Sequence, residues 1–414
     1  MSKVATRPKR NAPSKSKMKA PPSPAGKGAK KGGGGSGGPR RLKVGVTLFL
    51  REGQQSLWEN GIFQNCYFLL MLLERSPLVE KCFIINGGPG DPKAAGDFLS
   101  LSPAPVISFD EAMDTLDLAI ELSAQFDIEW VRQFGERGGH TITMHVANDF
   151  VLDMERMAFD RPPAMLMSRA PYDRIWTLPA FEETCAPYYR AGFHAPVRAM
   201  QHLWSPLLLE RTLAGAGAER SFAYVPGRSS WRLAVMEPNI CMVKTCHLPI
   251  LLSDLAYRRD PNAVEALWVY NAMELREHSA FTAYARSMDV VQHGIASFEP
   301  RIPVFDVLGR QADALVSHHW HNAQNYLYYE ALYGGFPLIH NSHLLDGCGY
   351  AYRTFDPEDG ALALLQALAS HDRNLEGYRA DARRLLARLD PCSDANVASY
   401  TRAMAEACGM EVSA

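Results

Sequence analysis

Between Ala314 and Ser342 the chain gathers His318, His319, His321 and Asn322 in one stretch, adds Gln324, Asn325 and Tyr326 behind them, and places an acid, Glu330, further on. These are donors and acceptors suited to a polar or anionic ligand. They do not read as a metal site, because adjacent histidines point apart in extended chain and no Asp, Glu or Cys close by completes a tetrahedral set. Glu330 shares a helix side with Tyr326 and Leu327, so its carboxylate must be solvated, paired or turned toward a ligand. The elements that hold these groups are readable. ADALVSH suits a buried parallel strand, AQNYLYYEALYGG has helical character ending at Gly334 and Gly335, and PLIHNS is a second strand. A β-loop-α-β unit of this kind presents free helix-start amides at the carboxyl end of a sheet, where open α/β proteins hold ligands.

The same alternation runs through the chain. LKVGVTLFL, EKCFIIN, PAPVISF, DLAIEL, HTITMHV and DRIWTLP read as strands, and GIFQNCYFLLMLLER and FDIEWVRQFGE as helices with one apolar side. The stretch from Ala191 to Ser230, rich in Gly, Ser and Pro, marks a boundary. A second series comes after it: WRLAVMEP as strand, CMVKTCHLPILLSDLAYRR as helix with a break at Pro249, then the strands EALWVYN and DVVQHGI, and terminal helices GALALLQALAS, NLEGYRADARRLLARL and ANVASYTRAMAEA. The expected architecture is α/β: two Rossmann-like domains, 42–228 and 229–400, facing across a cleft, with a tail at 401–414. No GxGxxG follows the first strand, which argues against an ordinary NAD enzyme.

Of the 414 residues, the first 41 carry 12 Lys or Arg and no acid, leaving 31 basic against 45 acidic residues from Leu42 onward, a formal net charge of −14. The basic segment is expected to be disordered. It lacks the apolar core of a secretory signal, and is either a solubilising extension or a weak contact for anionic surfaces, including nucleic acid. No apolar run reaches the length of a membrane span. Eight cysteines without a CxxC pair fit reduced thiols and a cytoplasmic location.

The second half resembles the C-terminal domain of GT-B glycosyltransferases, particularly the large retaining family that uses nucleotide sugars. In WRLAVMEPNICMVKT, Lys244 matches that family's phosphate-gripping lysine, while Met236, Glu237, Pro238 and Asn239 occupy the turn where its partner arginine stands. Glu330, Gly334, Gly335 and Pro337 match its second glutamate and the small-residue turn and strand after it, and Asn322 takes the place of the first glutamate. From Leu42 to about Tyr400 the chain also resembles a group of uncharacterised bacterial GT-B relatives. The resemblance implies a glycosyltransferase moving a sugar from a nucleoside diphosphate donor to an unknown acceptor, which could be a glycan, a lipid-linked molecule or a protein. It implies no fixed metal and no cofactor. Glu330 would bind the donor ribose, His293 and Gly294 would lie by the base, and Lys244 with the amides of Gln324, Asn325 and Tyr326 would hold the diphosphate. Glu237 and Asn239 join the donor set through their turn, and His318 and Asn322 would face the sugar.

In the first half, Glu121 follows DLAIEL and His145 follows HTITM, so each is a candidate general base or, equally, a structural partner in the core. The loop from Gly53 to Asn60 has the length and polarity of an acceptor-binding lid, with Trp58, Glu59 and Asn60 as contacts. Trp58 could stack on a sugar ring or pack against the second domain. The missing arginine and first glutamate also fit an inactive binding or scaffold protein with the same fold.

Overall fold

Apolar runs too short for helices become strands here, and their burial on both faces makes the sheets parallel and covered. In the computed structural model, which describes residues 40–102, 104–161, 167–215 and 222–411, seven strands form the first sheet. They are β1 (Leu42–Leu48), β2 (Val79–Asn86), β3 (Val106–Ile107), β4 (Leu118–Glu121), β5 (His140–Met144), β6 (Arg174–Thr177) and β7 (Val197–Ala199), in the order β3-β2-β1-β4-β5-β6-β7. Six more form the second: β8 (Trp231–Val235), β9 (Val264–Val269), β10 (Ala296–Phe298), β11 (Ala314–Val316), β12 (Leu338–His340) and β13 (Tyr350–Ala351), in the order β10-β9-β8-β11-β12-β13. All strand pairings are parallel. In each sheet the order reverses beside the first strand, between β1 and β4 and between β8 and β11. That reversal opens a crevice at the carboxyl ends, where the connecting loops diverge.

The helix Gly61–Arg75 starts where Asn60 accepts a hydrogen bond from the amide of Ile62 at 3.1 Å. Its first residue has to be small: a Cβ on Gly61 would lie 3.2 Å from the ring of Tyr326, in the other lobe. Tyr326–Gly334 is helical as expected and ends at Gly335, whose φ of 72° is left-handed backbone that a side chain would strain.

Several elements depart from the sequence reading. DVVQHGI is not a strand: Asp289–Gln292 is a short helix, tied down by Asp254, which accepts from the Val290 amide at 2.9 Å. The strand comes later, as β10, and a two-valine run is too short for periodicity to separate the two states. The two terminal helical runs are one helix, Pro357–Leu389, because the polar join at His371 is buried and bonded to Tyr350 at 2.8 Å and to the Gly335 carbonyl at 3.1 Å. Residues 401–407 are not a tail. They complete the helix Asp394–Ala407, which returns to the first lobe, where Tyr400 meets Trp176 edge-on at 5.5 Å and donates to the Gln201 carbonyl at 2.7 Å. Among the described residues no helix is long and apolar enough to cross a membrane, and all eight cysteines are free. The basic stretch at 1–39 lies outside the described residues.

Candidate functional site

A cavity of about 480 Å³ lies where the loops after β8, β9, β10 and β11 meet the first lobe. Glu330 forms part of its wall. The side chain is 4% exposed, yet among the described residues no donor reaches its carboxylate, and burial pushes its pKa up to about 8. A buried acid without a partner is costly, so its opening onto a cavity points to a ligand that donates hydrogen bonds. The helix Tyr326–Gly334 that carries it begins at the cavity, with Gln324, Asn325 and Tyr326 in the wall. Asn325 caps this helix by accepting from the Leu327 amide at 3.3 Å.

Lys244 stands in the loop before the helix His247–Arg259, and not on a helix; Pro249 falls within that helix's first turn, where its missing N–H leaves nothing unpaired. The Lys244 ammonium lines the cavity and donates to the Gln324 carbonyl at 3.4 Å. Burial lowers its pKa, and the nearby Glu237 opposes that shift.

Glu237 and Asn239 lie behind this wall. Glu237 is fully buried, with one carboxylate oxygen accepting from the Ser317 hydroxyl and from the His318 amide at 3.2 Å, and the other without a partner. Burial raises its pKa to about 7, against the pull of the Ser317 hydrogen bond and of Lys244. Asn239, at φ 55°, donates to the Glu237 carbonyl at 3.0 Å and the Asn271 carbonyl at 3.1 Å and accepts from the Cys246 amide at 2.8 Å, so it shapes the loop that presents Lys244. His318 is likewise turned inward, bonded to the Tyr352 hydroxyl at 2.9 Å and pushed by burial down to about 4. Asn322 does reach the cavity. His293 and Gly294 do not: they sit in an exposed turn before β10, at the amino end of the sheet and away from the cleft, with His293 against Tyr257 at 3.2 Å. Among the described residues no group of three His, Cys, Asp or Glu could hold a metal ion.

From the first lobe, Trp58, Glu59 and Asn60 all line the cavity. The Trp58 ring is already engaged. It meets Phe305 edge-on at 5.0 Å and donates to Thr212 at 3.2 Å, so it packs across the lobes, and Asn60 is the cap described above. Glu59 is held by Arg51 at 2.8 Å.

Glu121 and His145 stand at strand ends as expected, but neither reaches the cavity. Glu121 accepts from Tyr172 at 2.6 Å, the Phe126 amide at 2.6 Å and Thr143 at 2.9 Å; burial raises its pKa and these three bonds oppose the rise. His145 bonds Asp149 at 2.7 Å and Thr143 at 3.1 Å and stacks on Tyr189 at 4.3 Å. Both belong to one buried polar network that holds β4 to β5 and to the helix Asp149–Ala158. Glu121→Ala would strand a hydroxyl pair and an amide. We expect it to destabilise the fold by about 3 kcal/mol in urea titration while affinity for a ligand of the cavity stays at the wild-type value. Lost affinity at unchanged stability would return Glu121 to the cleft.

Several cavity residues escape the sequence reading, among them His202, Arg301 and Asn148. His202 comes after β7, in the stretch that reads as a domain boundary; Arg301 comes after β10, misplaced along with its strand; Asn148 comes after β5 and donates across the cleft to the His321 carbonyl at 2.8 Å. The available signal was position alone, since each lies just past the carboxyl end of a strand.

Two parallel sheets with reversed strand order, a cavity between their carboxyl ends and a last helix crossing back to the first lobe make this a GT-B fold. Solved structures agree. A glycosyltransferase from Rickettsia africae superimposes with a TM-score of 0.53 at 10% identity, over 89% of this chain and 98% of that one. HepE from Anabaena, solved in complex with UDP-glucose, gives 0.52 at 11% identity, over 88% and 100%. By sequence, residues 44–404 match the family described as "Protein of unknown function (DUF2827)", and the chain belongs to that family. No curated protein matches by sequence.

Proposed function

We propose that this protein is a glycosyltransferase that binds a nucleoside diphosphate sugar in the cavity and transfers the sugar to an acceptor entering beside the first lobe. Glu330 carries the reading: an unpartnered buried carboxylate suits the vicinal hydroxyls of a ribose, which would supply the donors it lacks. Lys244 and the amides at the start of Tyr326–Gly334 would neutralise the diphosphate, work that needs no bound metal or cofactor. Asn322 stands beside them to hydrogen-bond the sugar. The fold shared with HepE, whose structure holds UDP-glucose, supports this donor class.

The enclosure of Glu121 and His145 favours one alternative, a nucleotide-binding protein without turnover, since neither expected base faces the cleft. Melting curves of the full chain with UDP and GDP test the shared premise, and a rise of several degrees is expected with one of them. No shift with any nucleoside diphosphate would sink both readings. Release of nucleotide from the corresponding sugar donor then separates enzyme from binder: steady release supports the transferase, and binding without it supports the alternative.

A further inference from the structure

The loop after β8 has no arginine to partner Lys244, and the cavity shows what takes its place. His202 comes from the segment joining the lobes. It is 4% exposed and lines the same cavity, its ring stacked on Tyr326 at 4.7 Å. Its Nδ1 is bonded to the Tyr329 hydroxyl at 3.1 Å. That hydroxyl also accepts from the Gln324 amide nitrogen at 3.5 Å; when its own proton goes to His202 Nδ1, the imidazole proton rests on Nε2. Among the described residues no group bonds Nε2, and the residue it belongs to lines the cavity.

We propose that His202 is the second diphosphate-binding residue, a neutral Nε2–H donor fixed by Tyr329 and Gln324 on the wall it shares with Lys244. This rests on reading the cavity as a nucleoside diphosphate site and names a contact that the reading leaves out. Burial, and then the charge of Lys244, push the imidazole down to about 3, so it meets the phosphate as a hydrogen-bond donor and not as a cation. Geometry ties the two side chains to one segment of wall: Lys244 contacts the Gln324 carbonyl, the Gln324 side chain bonds the Tyr329 hydroxyl, and that hydroxyl bonds His202. The stack on Tyr326 fixes the ring plane, and Tyr326 heads the helix that carries Glu330. Phosphate contact and ribose contact would thus be set by one rigid group of side chains.

The test uses the full chain, its His202→Phe variant, which keeps a ring against Tyr326 but has no donor, and His202→Gln, whose Nε2–H₂ restores one. Each is titrated with UDP and GDP and with uridine and guanosine. We expect H202F to bind the diphosphate about tenfold more weakly with nucleoside binding unchanged, and H202Q to recover most of the loss. Wild-type diphosphate affinity in H202F, an equal loss for nucleoside and diphosphate, or no recovery in H202Q would each overturn the assignment. ¹⁵N-histidine spectra of the wild type give a readout that needs no folded variant: the diphosphate should shift the His202 Nε2 signal and the nucleoside should not, and an unmoved signal also overturns it. A wild-type protein that binds neither diphosphate fails the underlying reading first, and the assignment with it.

Discussion

Glu330→Ala is expected to weaken UDP or GDP binding by about a hundredfold, because two hydrogen bonds to a charged acceptor disappear from an enclosed site. Glu330→Gln should lose less, about tenfold, since an amide keeps one acceptor and adds a donor. Proton linkage distinguishes a ribose contact from a merely structural acid. With its pKa pushed up to about 8 by burial, the free carboxyl is protonated at pH 7, whereas two ribose hydroxyls are best met by the ionised form. Binding at pH 7 should therefore release about one proton more in the wild type than in Glu330→Gln. Calorimetry in buffers of different ionisation heat measures that difference, and subtracting the variant cancels the titration of the phosphate. The free protein gives the converse effect. Between the ordinary value of 4.5 and about 8 the native state holds a proton that the unfolded chain has lost, so wild-type stability falls as pH rises through that window. Glu330→Gln lacks this contribution to the slope and should gain on the wild type from pH 5 to 8, by an amount that urea titrations at the two ends would read. Equal proton release in the two proteins, or parallel stability curves, would remove Glu330 from the ribose.

The sequence carried the opening unit well because each of its signals had one structural meaning. An apolar run of strand length, an Asn able to cap, a glycine pair at the helix end and a second apolar run leave little choice of topology, and β11, the helix Tyr326–Gly334 and β12 fall where expected. Lys244 and Glu330 reach the cavity for a related reason: each lies in the connection that follows a strand whose carboxyl end meets the crevice, Lys244 in the loop after β8 and Glu330 in the helix after β11.

What the sequence left open was the direction of polar side chains once they arrive there. Glu121 and His145 end their strands correctly, but Glu121 is claimed by Tyr172 and Thr143 from other segments, and His145 by Asp149 four residues on, itself held by Tyr189. Glu237 and Asn239 show the same limit within one turn, where Met236 and Pro238 line the cavity while Glu237 turns to Ser317 and His318 and Asn239 to its own loop. His202 was hidden for the opposite reason. Gly and Pro around it read as linker, yet the chain between two lobes must pass their shared cleft, so boundary residues can line a site. Arg301 was lost with β10, whose displacement along the chain moved every loop residue beside it.

Lys244→Met should cut kcat for sugar transfer or donor hydrolysis by a factor of about 10² to 10³, with a smaller effect on ground-state binding. In the proposed transfer, negative charge grows on the leaving diphosphate as the glycosidic bond breaks, and an ammonium held in a desolvated wall acts on that charge more strongly than it could in water. Lys244→Arg should rescue poorly, because the ammonium already reaches the Gln324 carbonyl at 3.4 Å and a planar guanidinium would displace that contact. Removing the charge has a second consequence, at Glu237. Lys244 is one of the influences that hold this fully buried acid down at about 7, so without it the carboxyl should titrate higher. Wild-type stability already falls as pH rises from 4.5 toward 7, where the native state keeps a proton that the unfolded chain gives up. In Lys244→Met the fall should continue to higher pH, making the variant's deficit larger at pH 8 than at pH 5.5 in urea titrations. A deficit independent of pH would mean that Lys244 and Glu237 are not coupled. An unchanged kcat would mean that the ammonium faces solvent and not a leaving group.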